Sequence, residues 1–129
     1  MKRTLRQHAG SAGAPVGRDE EREQLDSHSK LVRDRVPEII RAAGAKPITY
    51  IAGPEEYRSR LRDKLGEEVA EFLAADEATA VDELADVLEV VYALAEDLGV
   101  DSAGLEGIRL AKGRERGSFT NRVVWSGNH

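Results

Sequence analysis

The chain has 129 residues, no cysteine, and a formal net charge of −5 from 24 acidic and 19 basic side chains. Its length suits a single domain, and the lack of cysteine excludes thiol catalysis, disulfides and thiolate metal sites. His8, His28 and His129 all lie near the termini, so residues 30–125 contain no imidazole for a general base or a zinc site. The remaining side chains favour metal-assisted chemistry on an oxygen-rich substrate.

The net negative charge and the hydropathy pattern also limit which partners the protein can bind. A net acidic domain is a poor general binder of nucleic acid, and no apolar run approaches the length of a membrane span. We therefore expect a cytoplasmic protein that binds neither nucleic acid nor membrane.

The chain divides into a tail and one domain. Residues 1–29 are rich in Gly, Ser, Ala, Arg and Glu and have almost no large apolar side chains, a composition typical of a disordered extension. We predict a folded domain at residues 30–125, followed by a short tail at residues 126–129.

Periodicity and capping residues predict four helices in the domain. They span residues 34–43, 54–75, 77–98 and 102–116. Pro54 at a first helical position, and Gly99 and Gly117 just past two helix ends, are typical boundary residues. Residues 47–51 and 122–125 fit two short strands that would pair as a ribbon packed on the helices. The predicted fold is therefore mainly α, an antiparallel helical bundle or half-bundle with room for this two-stranded ribbon.

Two acidic clusters lie inside the long predicted helices, EEVAE at residues 67–71 and ELAD at residues 83–86. At about 100° per residue, Glu68 and Glu83 fall on the apolar faces of their helices and Asp86 falls on the flank. Carboxylates turned toward a packed interior are costly unless they are paired or bind a cation. Four acids from two facing helices would make an oxygen-rich pocket suited to Mg²⁺ or Mn²⁺.

The alternative interpretation of these acids is a solvated helix face held by ion pairs such as Lys64–Glu68. The apolar stripes that run through Glu68 and Glu83 disfavour it. Asp82 and Glu89 project away from the stripe, and for them we expect solvent exposure.

The clusters resemble the signature of the all-α nucleoside triphosphate pyrophosphohydrolases, the MazG-like family. The opening KLVRDRVPEII at residues 30–40 and the closing RERGSF at residues 114–119 are similar to its small stand-alone house-cleaning branch, related to phosphoribosyl-ATP pyrophosphohydrolase. The resemblance covers residues 30–125. It implies metal-dependent hydrolysis of nucleoside triphosphates, non-canonical or damaged ones in this branch, at the α–β phosphate bond to a nucleoside monophosphate and pyrophosphate.

The same resemblance assigns site residues. It implies that four acids are the magnesium ligands, namely Glu68, Glu71, Glu83 and Asp86. It gives Glu67 the role of supporting the metals or orienting the attacking water, which completes a catalytic set of five acids. The candidate substrate-binding residues are five bases: Lys30, Arg33, Lys112, Arg114 and Arg116. Each of them could instead be an ordinary surface charge or a charge that complements a helix dipole.

The sequence departs from the family pattern at three points, one of which is that the extension at residues 1–29 has no counterpart in the family. The gap at residues 72–82 is slightly short, which fits a tight hairpin, and Ser118 stands where close relatives often carry a second glycine. The serine at position 118 bears on which substrate the protein prefers more than on which reaction it catalyses.

Apolar side chains cover more than half of the circumference of the predicted helix at residues 77–98, an arc that one neighbouring helix cannot shield. This predicts a homodimer or higher homo-oligomer, and the resemblance points the same way. Three alternative functions stay open: phosphoribosyl-ATP pyrophosphohydrolase in histidine biosynthesis, a dimeric dUTPase-like activity, and a catalytically silent helical dimerisation or regulatory module. Acids at all four metal positions favour an enzyme.

Overall fold

The computed structural model describes residues 29–129, so all but the last residue of the predicted disordered extension at residues 1–29 lies outside it. The described residues form four helices: α1 Val36–Ala42, α2 Pro54–Ala74, α3 Glu77–Asp97 and α4 Ser102–Arg116. The mainly α fold is confirmed, and each helix ends close to its predicted boundary.

The first helix, α1, is short and lies at the start of the domain. Pro37 lies in its first turn, where a missing backbone N–H costs nothing. Val36 and Ile40 are buried on one side of the helix. Gly44, with φ of 95°, ends the helix in a conformation that favours glycine.

Helices α2 and α3 form a tight antiparallel hairpin and supply most of the core. Ala75 and Asp76 are the only link between them, and the Asp76 carboxylate caps α3 by accepting a hydrogen bond from the backbone N–H of Thr79 at 3.1 Å. The two helices pack against each other extensively. At the far end of the hairpin Arg58 of α2 donates to Asp97 of α3 at 3.0 Å, which fixes the two helices in register.

Helix α4 packs only on α3 within the described chain, and more sparsely. The Asp101 side chain accepts a hydrogen bond from the N–H of Gly104 at 2.8 Å and thereby caps the N-terminus of the helix. None of its residues is buried. The described chain is therefore a half-bundle, in which the short α1 precedes a helical hairpin and α4 is attached to α3.

The predicted two-stranded ribbon does not form among residues 29–129. Residues 47–51 and 122–125 contain no strand, and Ile51 and Val124 are almost fully exposed. A ribbon is stable only when its strands meet and bury an apolar face. Here Tyr50 is held by α2 instead, because its hydroxyl donates to the Glu56 carboxylate. Among residues 29–129, no helix is long and apolar enough to cross a membrane.

Candidate active site

Three carboxylates meet in the seam between α2 and α3. Glu68 on α2 and Glu83 and Asp86 on α3 each offer one oxygen, and these three oxygens all lie within 4.8 Å of one another. Glu68 is only 5% exposed, although it is charged, and the other two are half-buried. This burial agrees with the apolar periodicity of the sequence, which placed Glu68 and Glu83 on the inner faces of their helices and Asp86 on the flank.

The donor set fits a hard divalent cation. All the donors are carboxylate oxygens, the ligands that Mg²⁺ and Mn²⁺ prefer. One oxygen each of Glu68, Glu71 and Glu83 is shielded from solvent, and so much negative charge in a partly buried seam is stabilised by a bound cation. Glu71 lies one turn after Glu68 on α2 but outside the close group of three, so the structure brings together three of the four predicted ligands.

Glu67 is held between two ammonium groups. The Lys30 Nζ is 3.4 Å from one of its oxygens, and the Lys64 Nζ is 3.4 Å from the other. The Lys64 Nζ also lies 3.4 Å from Glu68, so the pair expected for a solvated helix face exists. It is a buried contact rather than a solvated one, since the Lys64 and Glu68 side chains are 12% and 6% exposed.

Residues 29–35, which we call the leading segment, reach both long helices. Lys30 contacts Glu67 of α2, whereas Arg33 donates to the Asp86 Oδ1 of α3 at 2.8 Å and lies 4.0 Å from Glu89. The segment therefore brings two of the five predicted phosphate-binding bases to the acidic seam. Asp82 and Glu89 are exposed, as expected.

The other three predicted bases lie elsewhere. Lys112, Arg114 and Arg116 occupy the exposed last turns of α4, and they form no ion pair within residues 29–129. Within one chain they complement the helix dipole. Their assignment as phosphate contacts stays a prediction.

A polar network that the sequence analysis missed anchors the leading segment. Arg60 of α2 donates to the backbone carbonyl of Ser29 at 2.9 Å and to Glu56 at 2.8 Å, and Glu56 also accepts from Tyr50. The hydrogen bond from Tyr50, followed by that from Arg60, lowers the pKa of Glu56 below its ordinary value. The same Tyr50–Glu56 bond raises the pKa of Tyr50. The i,i+4 spacing of Glu56 and Arg60 could have revealed their pair, but nothing local could have revealed the contact with Ser29.

A cavity of about 40 Å³ lies between the leading segment and α2, lined in part by Lys30, Arg60, Lys64 and Glu67. A space of this size holds a few water molecules at most.

The helical hairpin turns carboxylates from both long helices into one seam, which is the arrangement of a candidate metal site in an all-α domain. Residues 38–107, more than half of the chain and including all five predicted catalytic acids, match the family described as phosphoribosyl-ATP pyrophosphohydrolase. The chain belongs to this family.

The chain is also similar to an uncharacterized protein of Mycolicibacterium smegmatis, with 52% identity over 48 residues. That match covers 37% of this chain and 49% of the relative, so the chain spans about half the length of the curated relative that it matches. No solved structure matches the chain significantly.

Proposed function

We propose that this protein hydrolyses nucleoside triphosphates, non-canonical or damaged ones in particular, at the α–β phosphate bond to a nucleoside monophosphate and pyrophosphate. Mg²⁺, or Mn²⁺ in its place, is the proposed cofactor. The observation that carries the proposal is the group of three carboxylates from two helices, whose oxygens lie within 4.8 Å of one another inside the region that matches the family.

Glu68, Glu83 and Asp86 would hold the cation, and Glu71 would join them from the next turn of α2. A divalent cation at this position supplies positive charge that attracts phosphate oxygens and makes water easier to deprotonate. The carboxylates themselves fix its position, because they project from two helices that are packed in one register.

Glu67 is suited to orient the attacking water. Its two oxygens are each fixed by an ammonium group, one from Lys30 and one from Lys64. A carboxylate held in one orientation beside the cation ligands can accept a hydrogen bond from water and direct it toward a phosphorus atom. The reaction needs no covalent enzyme intermediate, which suits a domain without cysteine or histidine between residues 30 and 125.

Lys30 and Arg33 are the proposed phosphate contacts from within the same chain. Both project from the leading segment over the acidic seam, and Arg33 remains about half exposed there. A guanidinium and an ammonium group at the open side of the seam complement the negative charge that a triphosphate brings.

We also propose that a second copy covers the outer face of α3, defined by Val81, Leu84 and Leu88. These residues follow one another at helical spacing and are 74%, 48% and 47% exposed. The C-terminal segment at residues 117–129 is also exposed and contains Phe119 and Trp125. Apolar area of this extent on one small chain is typical of a surface that another subunit covers, and Lys112, Arg114 and Arg116 could then reach the phosphates of the neighbouring site.

Phosphoribosyl-ATP is the second candidate substrate. The family description itself favours it, and the reaction would use the same carboxylates and release pyrophosphate in the same way. The two candidates differ only in the group attached to the triphosphate.

A substrate panel tests the proposal. Normal triphosphates, damaged triphosphates and phosphoribosyl-ATP are each incubated with the full chain and Mg²⁺, and pyrophosphate and orthophosphate are measured separately. We expect pyrophosphate release that EDTA abolishes and that a Glu83→Gln control lacks. Orthophosphate as the primary product would contradict the proposal, and pyrophosphate from phosphoribosyl-ATP alone would select the second candidate.

A further inference from the structure

Three bases contact the acidic seam, and they differ in how firmly they are held. The Lys64 side chain is 12% exposed, that of Lys30 is 34% exposed and that of Arg33 is 52% exposed. Lys64 projects from α2 itself, and the backbone beside Lys30 is fixed by the bond between Arg60 and the Ser29 carbonyl. Arg33 is the most exposed of the three, and it lies in a segment without helix or strand. Its guanidinium can therefore leave the seam at the smallest structural cost.

Arg33 contacts one of the three carboxylates that would hold the cation. Its Nη2 lies 2.8 Å from the Asp86 Oδ1. A positive charge at this distance lowers the electrostatic attraction of the site for a divalent cation, and it competes for the lone pairs of the same carboxylate. The Arg33 guanidinium therefore stabilises Asp86 before the cation binds, and the same positive charge opposes cation binding.

A second acceptor lies beside the first. The Arg33 Nη1 is 4.0 Å from Glu89, whose side chain is 59% exposed and lies one turn after Asp86 on α3. A guanidinium that leaves Asp86 can turn toward Glu89 and remain at the rim of the seam. At the rim it stands where a phosphate group would approach.

We propose that Arg33 is an exchangeable counter-ion: it neutralises Asp86 until a divalent cation binds, is displaced, and then contacts a substrate phosphate. The first step rests only on the proposed metal site, whereas the second step also rests on the proposed reaction. Because the displaced Arg33 is free to bind phosphate, cation and nucleotide each strengthen the binding of the other, and this coupling is equal in both directions.

Calorimetric titration of the nucleotide-free full chain with Mn²⁺ tests the first step. Arg33→Gln removes the competing charge, and we expect Mn²⁺ to bind about fivefold more tightly, the size of effect typical of a partly exposed ion pair. Arg35→Gln is the matched control, since it removes the same charge two residues away from a side chain that makes no ion pair within residues 29–129, and its Mn²⁺ affinity should not change.

Weaker or unchanged Mn²⁺ binding by Arg33→Gln would overturn the first step, because Arg33 would then orient Asp86 for the cation or have no influence on it. Circular dichroism checks that both variants keep their helices. Failure of every variant to bind Mn²⁺ would overturn the proposed metal site together with this inference.

Steady-state kinetics test the second step. With saturating Mg²⁺, Arg33→Gln should raise KM for the triphosphate about tenfold, Arg33→Lys should restore part of the loss, and Arg35→Gln should match the unaltered protein. An unchanged KM in Arg33→Gln would overturn the phosphate contact. If the unaltered protein hydrolyses no triphosphate, the proposed function fails. The calorimetric result still decides whether the cation displaces Arg33 from Asp86.

Discussion

The seam between α2 and α3 and the outer face of α3 depart from the usual distribution of side chains in opposite directions. In the seam a glutamate, Glu68, is almost completely buried. On the outer face and in the C-terminal segment large apolar side chains are exposed, with Phe119 the most exposed of them at 96%. Buried charge and exposed apolar area both cost free energy in an isolated chain.

The two departures have different causes. The seam is charged because, on our proposal, its carboxylates hold a divalent cation. The outer face is apolar because, on our proposal, it meets a second copy. One helix, α3, carries both features, with Glu83 and Asp86 toward the seam and Val81 and Leu88 on the other side. Assembly and chemistry can therefore be perturbed separately on the same helix.

The largest expected effect comes from removing a seam carboxylate. Glu68→Gln or Asp86→Asn should lower pyrophosphate release by at least about a hundredfold, since even groups that only support metal ligands cost ten- to a hundredfold when they are removed. Asp82→Asn is the matched control, because Asp82 lies on α3 next to Glu83 but is exposed. Circular dichroism should show unchanged helix content in all three variants, and full turnover by either seam variant would refute the ligand assignment.

A smaller effect on activity, but a clear one on mass, is expected on the outer face. Light scattering of the unaltered protein at micromolar concentration should give at least twice the chain mass of 14.1 kDa. The double substitution Val81→Glu and Leu88→Glu should shift the mass toward that of one chain, because two charges would be desolvated at the contact.

Ile48→Glu serves as the control for the outer face. Ile48 is 75% exposed but lies in the loop between α1 and α2, away from α3. Its variant should keep the mass of the unaltered protein. An active unaltered protein with the mass of one chain would contradict the proposed assembly.

The smallest expected effect concerns the network behind the leading segment. The pKa of Glu56 is lowered in the folded chain, so the ionised carboxylate stabilises the fold above its unfolded pKa, and this contribution is lost as the pH falls through the folded pKa. Glu56→Gln should therefore lower the thermal midpoint slightly at neutral pH, and the difference should shrink below about pH 4.5. A difference in thermal midpoint that does not depend on pH would show that the charge of Glu56 is irrelevant to stability. Tyr50→Phe should weaken the pH dependence, because it removes the main cause of the lowered pKa of Glu56.

The sequence predicted the parts of the fold and of the site that depend on local periodicity. Glu68 could be placed in the interior because a helix repeats every 3.6 residues, and Pro54 could be placed at a helix start because its ring suits the first turn. The same periodicity placed Glu83 on the inner face of its helix and Asp86 on the flank, and the short link between the helices fits an antiparallel hairpin.

Contacts that depend on irregular backbone could not be predicted in this way. Arg33 and Asp86 are 53 residues apart in the chain, and their pairing follows from the path of the leading segment, which no periodic pattern describes. The absence of a ribbon at residues 47–51 has the same origin. Composition indicated extended backbone, but whether two such segments meet is decided by packing far along the chain.

On our proposal, the seam carboxylates direct water to the α–β phosphate junction of a triphosphate. Hydrolysis in ¹⁸O-labelled water, followed by mass spectrometry of both products, tests it most directly. We predict one labelled oxygen in either the nucleoside monophosphate or the pyrophosphate, with no orthophosphate formed as a primary product and no label incorporated by Glu68→Gln. Labelled orthophosphate together with a nucleoside diphosphate would place the cleavage at the β–γ bond and contradict the account.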